Sequence, residues 1–338
     1  MPTNRNLLLY ALVLIAVAFV VSRIPGTTID LLSRDHNDGH PITLGTNVWL
    51  GFEPFFLAQK AGTLAESDAR VLEFSSSTQV MRSFANGTID AAALTLDEVL
   101  AMHQTGVDIV IVLVLDSSNG GDAIVASPEI ADMRALTGKR VAAESTALGA
   151  LMLARGLETN GMRLDDVDIV SVEIDEQEMM IERGRVDAVV TFSPVLERLK
   201  ARGMVELFSS REIPGEIIDV LAVTPHVLHH HQDKLMILAE GWFAALEQLE
   251  QNPAQSAEWM SDRRGVSPVE INQALQQLTF FDHPMNAAYL SAEQGQLRER
   301  IRALNALMID VGILDSDLDA SLLMSDAVIS ALTPPSVP

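Results

Sequence analysis

The chain has 338 residues, 48% of them hydrophobic and 20% charged, a globular composition long enough for two compact lobes with a core each. A formal net charge of -23 leaves no Lys/Arg stripe to neutralise phosphates, so nucleic acid is excluded as an expected partner. There is no cysteine, which excludes disulfide frameworks, thiolate-held zinc or iron–sulfur clusters, thiol catalysis and an N-terminal lipid anchor.

At the N-terminus, MPTNRNLLLYALVLIAVAFVVSRIPG sets Arg5 before fifteen apolar residues, Leu7 to Val21. That length is the upper end for the apolar core of a signal peptide and slightly short for a membrane span. Val20-Val21-Ser22 offers a small-residue cleavage site that is not of the A-x-A type, and Ile24 lengthens the run if the segment is retained. Residues 1–24 are therefore a signal peptide or an N-terminal membrane anchor, and both predict export to the periplasm, with attachment to the inner membrane if the segment stays. Residues 25–41 form a polar tether.

From Ile42 onward, short apolar runs alternate with helical segments. Strands are expected at Ile42–Thr46, Arg70–Phe74, Ala91–Leu94 and Ile109–Leu115, with helices at Glu53–Ala61, Thr78–Asn86 and Leu96–His103. Gly62, Gly87 and Gly106 stand where helix-terminating glycines belong. A second series gives strands at AIVAS, RVAAE, DIVSVEI, AVVTF, VELFSS and IDVLAVT, with helices at Ala147–Asn160, Asp175–Arg183 and Pro194–Ala201. This alternation predicts βαβ units and a largely parallel sheet in each series. Beyond Pro225 only helices are expected: Lys234–Gln251, Pro253–Arg263, Pro268–Gln277, Ala292–Val311 and Ser316–Ala331. The runs DAIVAS (Asp122–Ser127) and IDVLAVT (Ile218–Thr224) bracket the second series and are expected to pair as a two-stranded hinge. Residues 42–122 and 225–338 then make lobe 1 with its helical tail, and 123–224 make lobe 2 with the hinge strands.

In open α/β lobes, ligands sit outside the carboxyl ends of the strands. Those ends carry Trp49, Phe52 and Glu53; Ser77 and Thr78; Thr95, Asp97 and Glu98; Asp116 and Ser117; Glu144, Ser145 and Thr146; and Phe192. Glu216 and Asp219 flank the returning strand. Trp49 and Phe52 either staple the start of their helix or form a ligand wall, and their place on a loop with Gly51 and Pro54 favours the wall. Thr95 and Glu98 also fit a capping box, with Asp97 on the helix dipole. Ser145 and Thr146 are either N-caps or anion contacts.

Six motifs in order carry a resemblance to a known family: VWLGFEPFFLAQKAG, FANGTIDAAALTLDEVL, VLDSSNGGDAIVAS, LTGKRVAAESTALGALMLARGL, GRVDAVVTFSPVLERL and LFSSREIPGEIIDVLAV. The chain resembles the periplasmic substrate-binding proteins of ABC importers, in the nitrate/sulfonate/taurine group that includes pyrimidine-precursor binders. The resemblance runs from about Ile42 to Val223. It implies the two-lobed, type II periplasmic-binding-protein fold, α/β with hinge crossovers, closing on a small molecule and passing it to an ABC permease. It implies no cofactor and no chemistry on the ligand. The missing lipid-anchor cysteine and clean cleavage site depart from the usual pattern, and a membrane-tethered sensor of the same fold is the alternative to an importer's binding protein.

None of these loops carries Lys or Arg; Lys139 and Arg140 precede their strand, and Arg82 lies a turn inside its helix. Asp97, Asp116, Glu144 and Asp219 oppose an anion. The expected ligand is a cationic or zwitterionic amine, held by carboxylates and an aromatic face, ahead of a neutral pyrimidine-like ring and well ahead of a simple anion. HVLHHHQDK (His226–Lys234) is read as a loop or helix start and not as a metal site, because adjacent histidines on one turn point apart. No nucleophile or metal spacing rises above chance, so an enzyme is not expected.

Overall fold

The computed structural model describes residues 40–291 and 295–332. The predicted signal or anchor, and the tether up to residue 39, lie outside the described residues. Among the described residues no helix is long and apolar enough to cross a membrane.

The first series builds β1 (Ile42–Thr46), α1 (Glu53–Ala61), β2 (Ala69–Glu73), α2 (Ser77–Ala85), β3 (Ala91–Thr95), α3 (Leu96–Gln104) and β4 (Val110–Ser118). The second builds β5 (Asp122–Ala126), β6 (Arg140–Ala143), α4 (Ala147–Thr159), β7 (Asp168–Ser171), α5 (Ile174–Glu182), β8 (Ala188–Phe192), α6 (Val195–Ala201) and β9 (Val205–Ser209). β10 (Ile218–Val223) returns to the first sheet, followed by α7 (Pro225–His230), α8 (Gln232–Gln251), α9 (Pro253–Arg264), α10 (Pro268–Leu275), β11 (Leu278–Phe280), α11 (His283–Leu290), α12 (Gln296–Asp310) and α13 (Ala327–Ala331). One sheet has six strands in the order β11-β4-β10-β3-β1-β2, and the other five in the order β7-β6-β8-β5-β9. β3, β5, β8 and β10 are buried along their whole length. That is why they read as unbroken apolar runs with no alternation.

Four expectations are corrected. Both sheets are mixed: β1–β2, β1–β3, β6–β7 and β6–β8 are parallel, whereas β10 runs antiparallel to β3 and β4, and β5 to β8 and β9. The hinge pairing is not formed. β5 and β10 lie in different sheets, so β10 belongs with the first sheet and not with residues 123–224. Unbroken apolar runs carry no register information, so their sequences could not choose partners. The tail contains a strand, β11, whose three residues are too few to show a period. Residues 316–331 hold only a 3-10 turn, Ala320–Leu322, and α13. There Asp319 accepts from the backbone N–H of Ser321 at 2.9 Å, the local alternative to helix that short polar side chains offer.

The tail packs on the first sheet. Phe55 of α1 meets Trp242 of α8 with ring centroids 4.7 Å apart. Asn286 of α11 clamps β4, accepting from the Val114 N–H at 2.8 Å and donating to the Val114 carbonyl at 2.9 Å. Glu53, expected at the ligand wall, is instead the buried centre of an ion cluster. It pairs with Arg264 and, at 3.3 Å, with Arg263, both on α9, and both arginines also reach Glu73. Burial holds Glu53 above its ordinary value, although Arg264 and Arg263 pull it down. Arg263 also lies 3.9 Å over the Phe56 ring. Arg263→Ala should therefore destabilise the fold by about 1 kcal/mol, read as a lower urea midpoint at unchanged slope. An unchanged midpoint would show that Arg264 alone holds Glu53.

Candidate functional site

Trp49 stands just beyond β1, at the start of the 3-10 turn Leu50–Phe52. Its backbone N–H donates to Asn47 Oδ1 at 2.8 Å, and its indole Nε1 donates to Asp116 Oδ1 at 3.3 Å. Its ring meets Phe192, at the end of β8, edge to face with centroids 5.7 Å apart. A side chain at Gly51 would put Cβ 2.2 Å from Trp49 Nε1 and 2.3 Å from Asp116 Oδ2. One at Gly121 would put Cβ 2.5 Å from Trp49 Cη2. The two glycines let the indole lie this close to the chain. The lobes also touch directly, through the Leu50 N–H donating to the Ser193 carbonyl at 3.3 Å.

Two small chambers lie beside Phe192, the first lined from both series of elements and the second by residues of the second series alone. The first is lined by Asn47, Trp49, Thr95, Asp122, Leu148, Phe192 and Asp219. The second is lined by Asp122, Glu144, Thr146, Leu148, Phe192 and neighbouring residues of α4 and β8. Asp122, Leu148 and Phe192 belong to both. Each chamber holds about 10 Å3, room for about one water molecule. Strand register brings the parts together, because Asp219 of β10 stands opposite Thr95 of β3 and Asp116 of β4. Asp122 of β5 stands opposite Phe192 of β8. An open hollow of about 430 Å3 in the tail, between Leu246, Leu249, Leu275 and Phe280, is larger. It lies away from the strand ends, and none of its lining side chains is a buried polar group without a partner.

Six carboxyls are buried at or just behind these chambers: Asp97, Glu98, Asp116, Asp122, Glu144 and Asp219. Asp122 and Asp219, 3% and 2% exposed, line the first chamber. Among the described residues Oδ2 of Asp122 has no hydrogen-bond partner, whereas Asp219 shares a hydrogen bond with Asp116. The Thr95 hydroxyl stands beside Asp97, and the Thr95, Ser77 and Thr146 hydroxyls stand beside Glu98. Among the described residues neither chamber is lined by Lys, Arg or His. Burial pushes Asp116, Asp122 and Glu98 up to about 7, opposed in Asp116 by hydrogen bonds with Asp219 and then Trp49, in Asp122 by Ser118 and in Glu98 by Thr95. Burial, with Glu98 nearby, pushes Glu144 up to about 9. Asp97 and Asp219 are held well above the carboxylate range, by burial first and then by Glu98 and Asp116 respectively.

Of the residues named from sequence, Trp49, Thr95, Glu144, Thr146, Phe192 and Asp219 line the chambers. Asp97, Glu98 and Asp116 stand behind them. Glu98 accepts from the Thr95 N–H at 3.2 Å, which is one half of the predicted capping box. Ser77 supports the wall by accepting from Asn47 Nδ2 at 2.7 Å. Thr146 caps α4, accepting from the Gly149 N–H at 3.2 Å.

Six others lie elsewhere. Phe52 is in the core, and Glu53 is in the arginine cluster. Thr78 is half-buried and lines neither chamber. Ser117 donates to the Ile217 carbonyl at 3.0 Å, and exposed Ser145 bonds Ser171 at 2.5 Å. Glu216 is held by Arg155 at 2.8 and 2.9 Å. Sequence reasoning missed Asn47 and Asp122. The signal for Asp122 was the GGD turn, which puts an acid where a new strand begins at the cleft.

The chain is similar to the taurine-binding periplasmic protein of Escherichia coli K12, with 22% identity over 64% of this chain and 68% of the relative. Its fold matches the alkanesulfonate-binding protein SsuA of Xanthomonas axonopodis pv. citri bound to MOPS, with TM-score 0.72, 17% identity, and 84% and 97% of the two chains covered. It also matches the ligand-binding component of an ABC-type import system of Staphylococcus aureus with zinc bound, with TM-score 0.70, 12% identity, and 87% and 99% covered. These likenesses show the two-lobed fold of periplasmic binding proteins. The family model described as the NMT1-like family matches residues 35–261, more than half of the chain, and the chain belongs to that family.

Proposed function

We propose that the chain is an extracytoplasmic solute-binding protein that captures a small amine cation between its lobes and delivers it to an ABC permease. One observation carries the choice of ligand: six buried carboxyls, Asp122 among them with Oδ2 unpartnered, converge on chambers that no cationic side chain lines among the described residues. A buried carboxylate is stable only against a partner, and an ammonium ion supplies both the charge and the donors. The Trp49 and Phe192 rings add an aromatic face. The similarity to proteins named for binding and import supports capture rather than turnover. A zwitterionic aminosulfonate is the second reading, favoured by the names of those relatives; its ammonium would use the same carboxylates.

Thermal shifts of the purified protein against amines, aminosulfonates, pyrimidines and simple oxyanions test this reading. An amine at about a hundred times its dissociation constant should add about 2.7 kcal/mol to stability. Stabilisation by an alkanesulfonate or oxyanion lacking an amino group, with none by amines, would overturn it.

A further inference from the structure

We propose, building on the amine reading, that the ligand is a short dication of the α,ω-diamine class, with one ammonium group in each chamber. The site is divided in a way that a single charge does not explain. Each chamber has the volume of about one water molecule, close to that of an ammonium group. Each has its own carboxyl, Asp219 in the first and Glu144 in the second, and Asp122 faces both. The shared walls between them, Leu148 and Phe192, are apolar and buried, which suits a short methylene chain.

More acid stands behind each chamber. Asp116 lies opposite Asp219 in strand register, and Glu98 is the foremost charged neighbour of Glu144. A monoamine seated in the first chamber leaves Glu144 of the second protonated, the form that burial favours, so that carboxyl adds nothing to its binding. A second ammonium stabilises the ionised form of Glu144 and makes it an ion-pair partner. Oδ2 of Asp122, more than nine-tenths buried and without a hydrogen-bond partner among the described residues, gives the first ammonium a free acceptor, and Asp219, which shares a hydrogen bond with Asp116, gives it a second carboxyl.

Calorimetric titration of the whole protein at pH 8 compares ethylenediamine, putrescine and cadaverine with propylamine, pentylamine and hexylamine, in which a methyl group replaces the second ammonium. At least one diamine should bind about 100-fold more tightly than its matched monoamine, within the range measured for coupling between close buried charges. Glu144→Gln should cut that advantage to less than about tenfold. Diamines binding no better than their monoamine matches would overturn the dication proposal and leave the amine reading standing. No binding by either series would remove both. If Glu144→Gln does not fold, the wild-type ligand series decides alone.

Discussion

Asp122→Asn is expected to weaken amine binding by about 30-fold or more while leaving the free protein at least as stable at pH 8. The two effects have opposite causes. Among the described residues Asp122 is the one acidic side chain that faces both chambers, and its Oδ2 has no hydrogen-bond partner there. Removing one member of a buried charge pair costs about 2 kcal/mol or more, which is about 30-fold in affinity. In the free protein the same carboxylate is a burial cost, and an amide of equal size removes the charge without opening a cavity. Its backbone anchor, the Asp122 N–H to Ser118 Oγ at 3.2 Å, is kept in the variant. Affinity by calorimetry and stability by urea unfolding separate the roles. Lost stability with unchanged affinity would make Asp122 a structural residue.

The free protein should become less stable as pH rises from 5 to 9, and amine affinity should rise across the same window. Asp116, Asp122 and Glu98 are pushed up to about 7, and Glu144 to about 9. A carboxyl whose folded value lies above its unfolded value of about 4 binds its proton more tightly when folded. Its contribution to stability is full below about pH 4 and is lost as pH rises through the folded value. Moving one carboxyl from about 4 to about 7 corresponds to about 4 kcal/mol, and neighbouring groups titrate together, so the sum is not additive. The carboxyls held below their ordinary values, Asp187, Glu270 and Asp319, lose their contributions at lower pH and leave this window clear. Amine binding favours the ionised carboxyls, so ligand and proton compete. Urea unfolding of the free protein at pH 5, 7 and 9 checks the first half; stability rising with pH would contradict it.

Much of this architecture was legible in the sequence because its signals are local. β1, β8 and α1 have the bounds that apolar runs and punctuation predict, down to Pro54 in the first turn of α1 and Gly62 at its end. The turn holding Trp49 was legible for the same reason, since a large aromatic beside Gly51 marks the end of a strand and not its buried middle. Long-range pairing was not legible. Position beside a strand end points Glu53 and Glu216 toward a ligand, yet their partners Arg264 and Arg155 arrive from helices distant in sequence. Asp122 was missed for the converse reason: it opens the apolar run DAIVA, which reads as buried strand, and only the antiparallel register of β5 with β8 sets it beside Phe192. The misplacement of β10 has the same origin, because a run buried on both faces does not state which sheet it completes.

Buried carboxyls that are protonated in the free protein must give up protons to hold a cation. Calorimetric titration of the protein with putrescine at pH 7, in two buffers of different ionisation enthalpy, counts the protons exchanged on binding. Net proton release, with affinity rising toward pH 8, is the expected result. Binding without proton exchange, or proton uptake on binding an alkanesulfonate in its place, would contradict it.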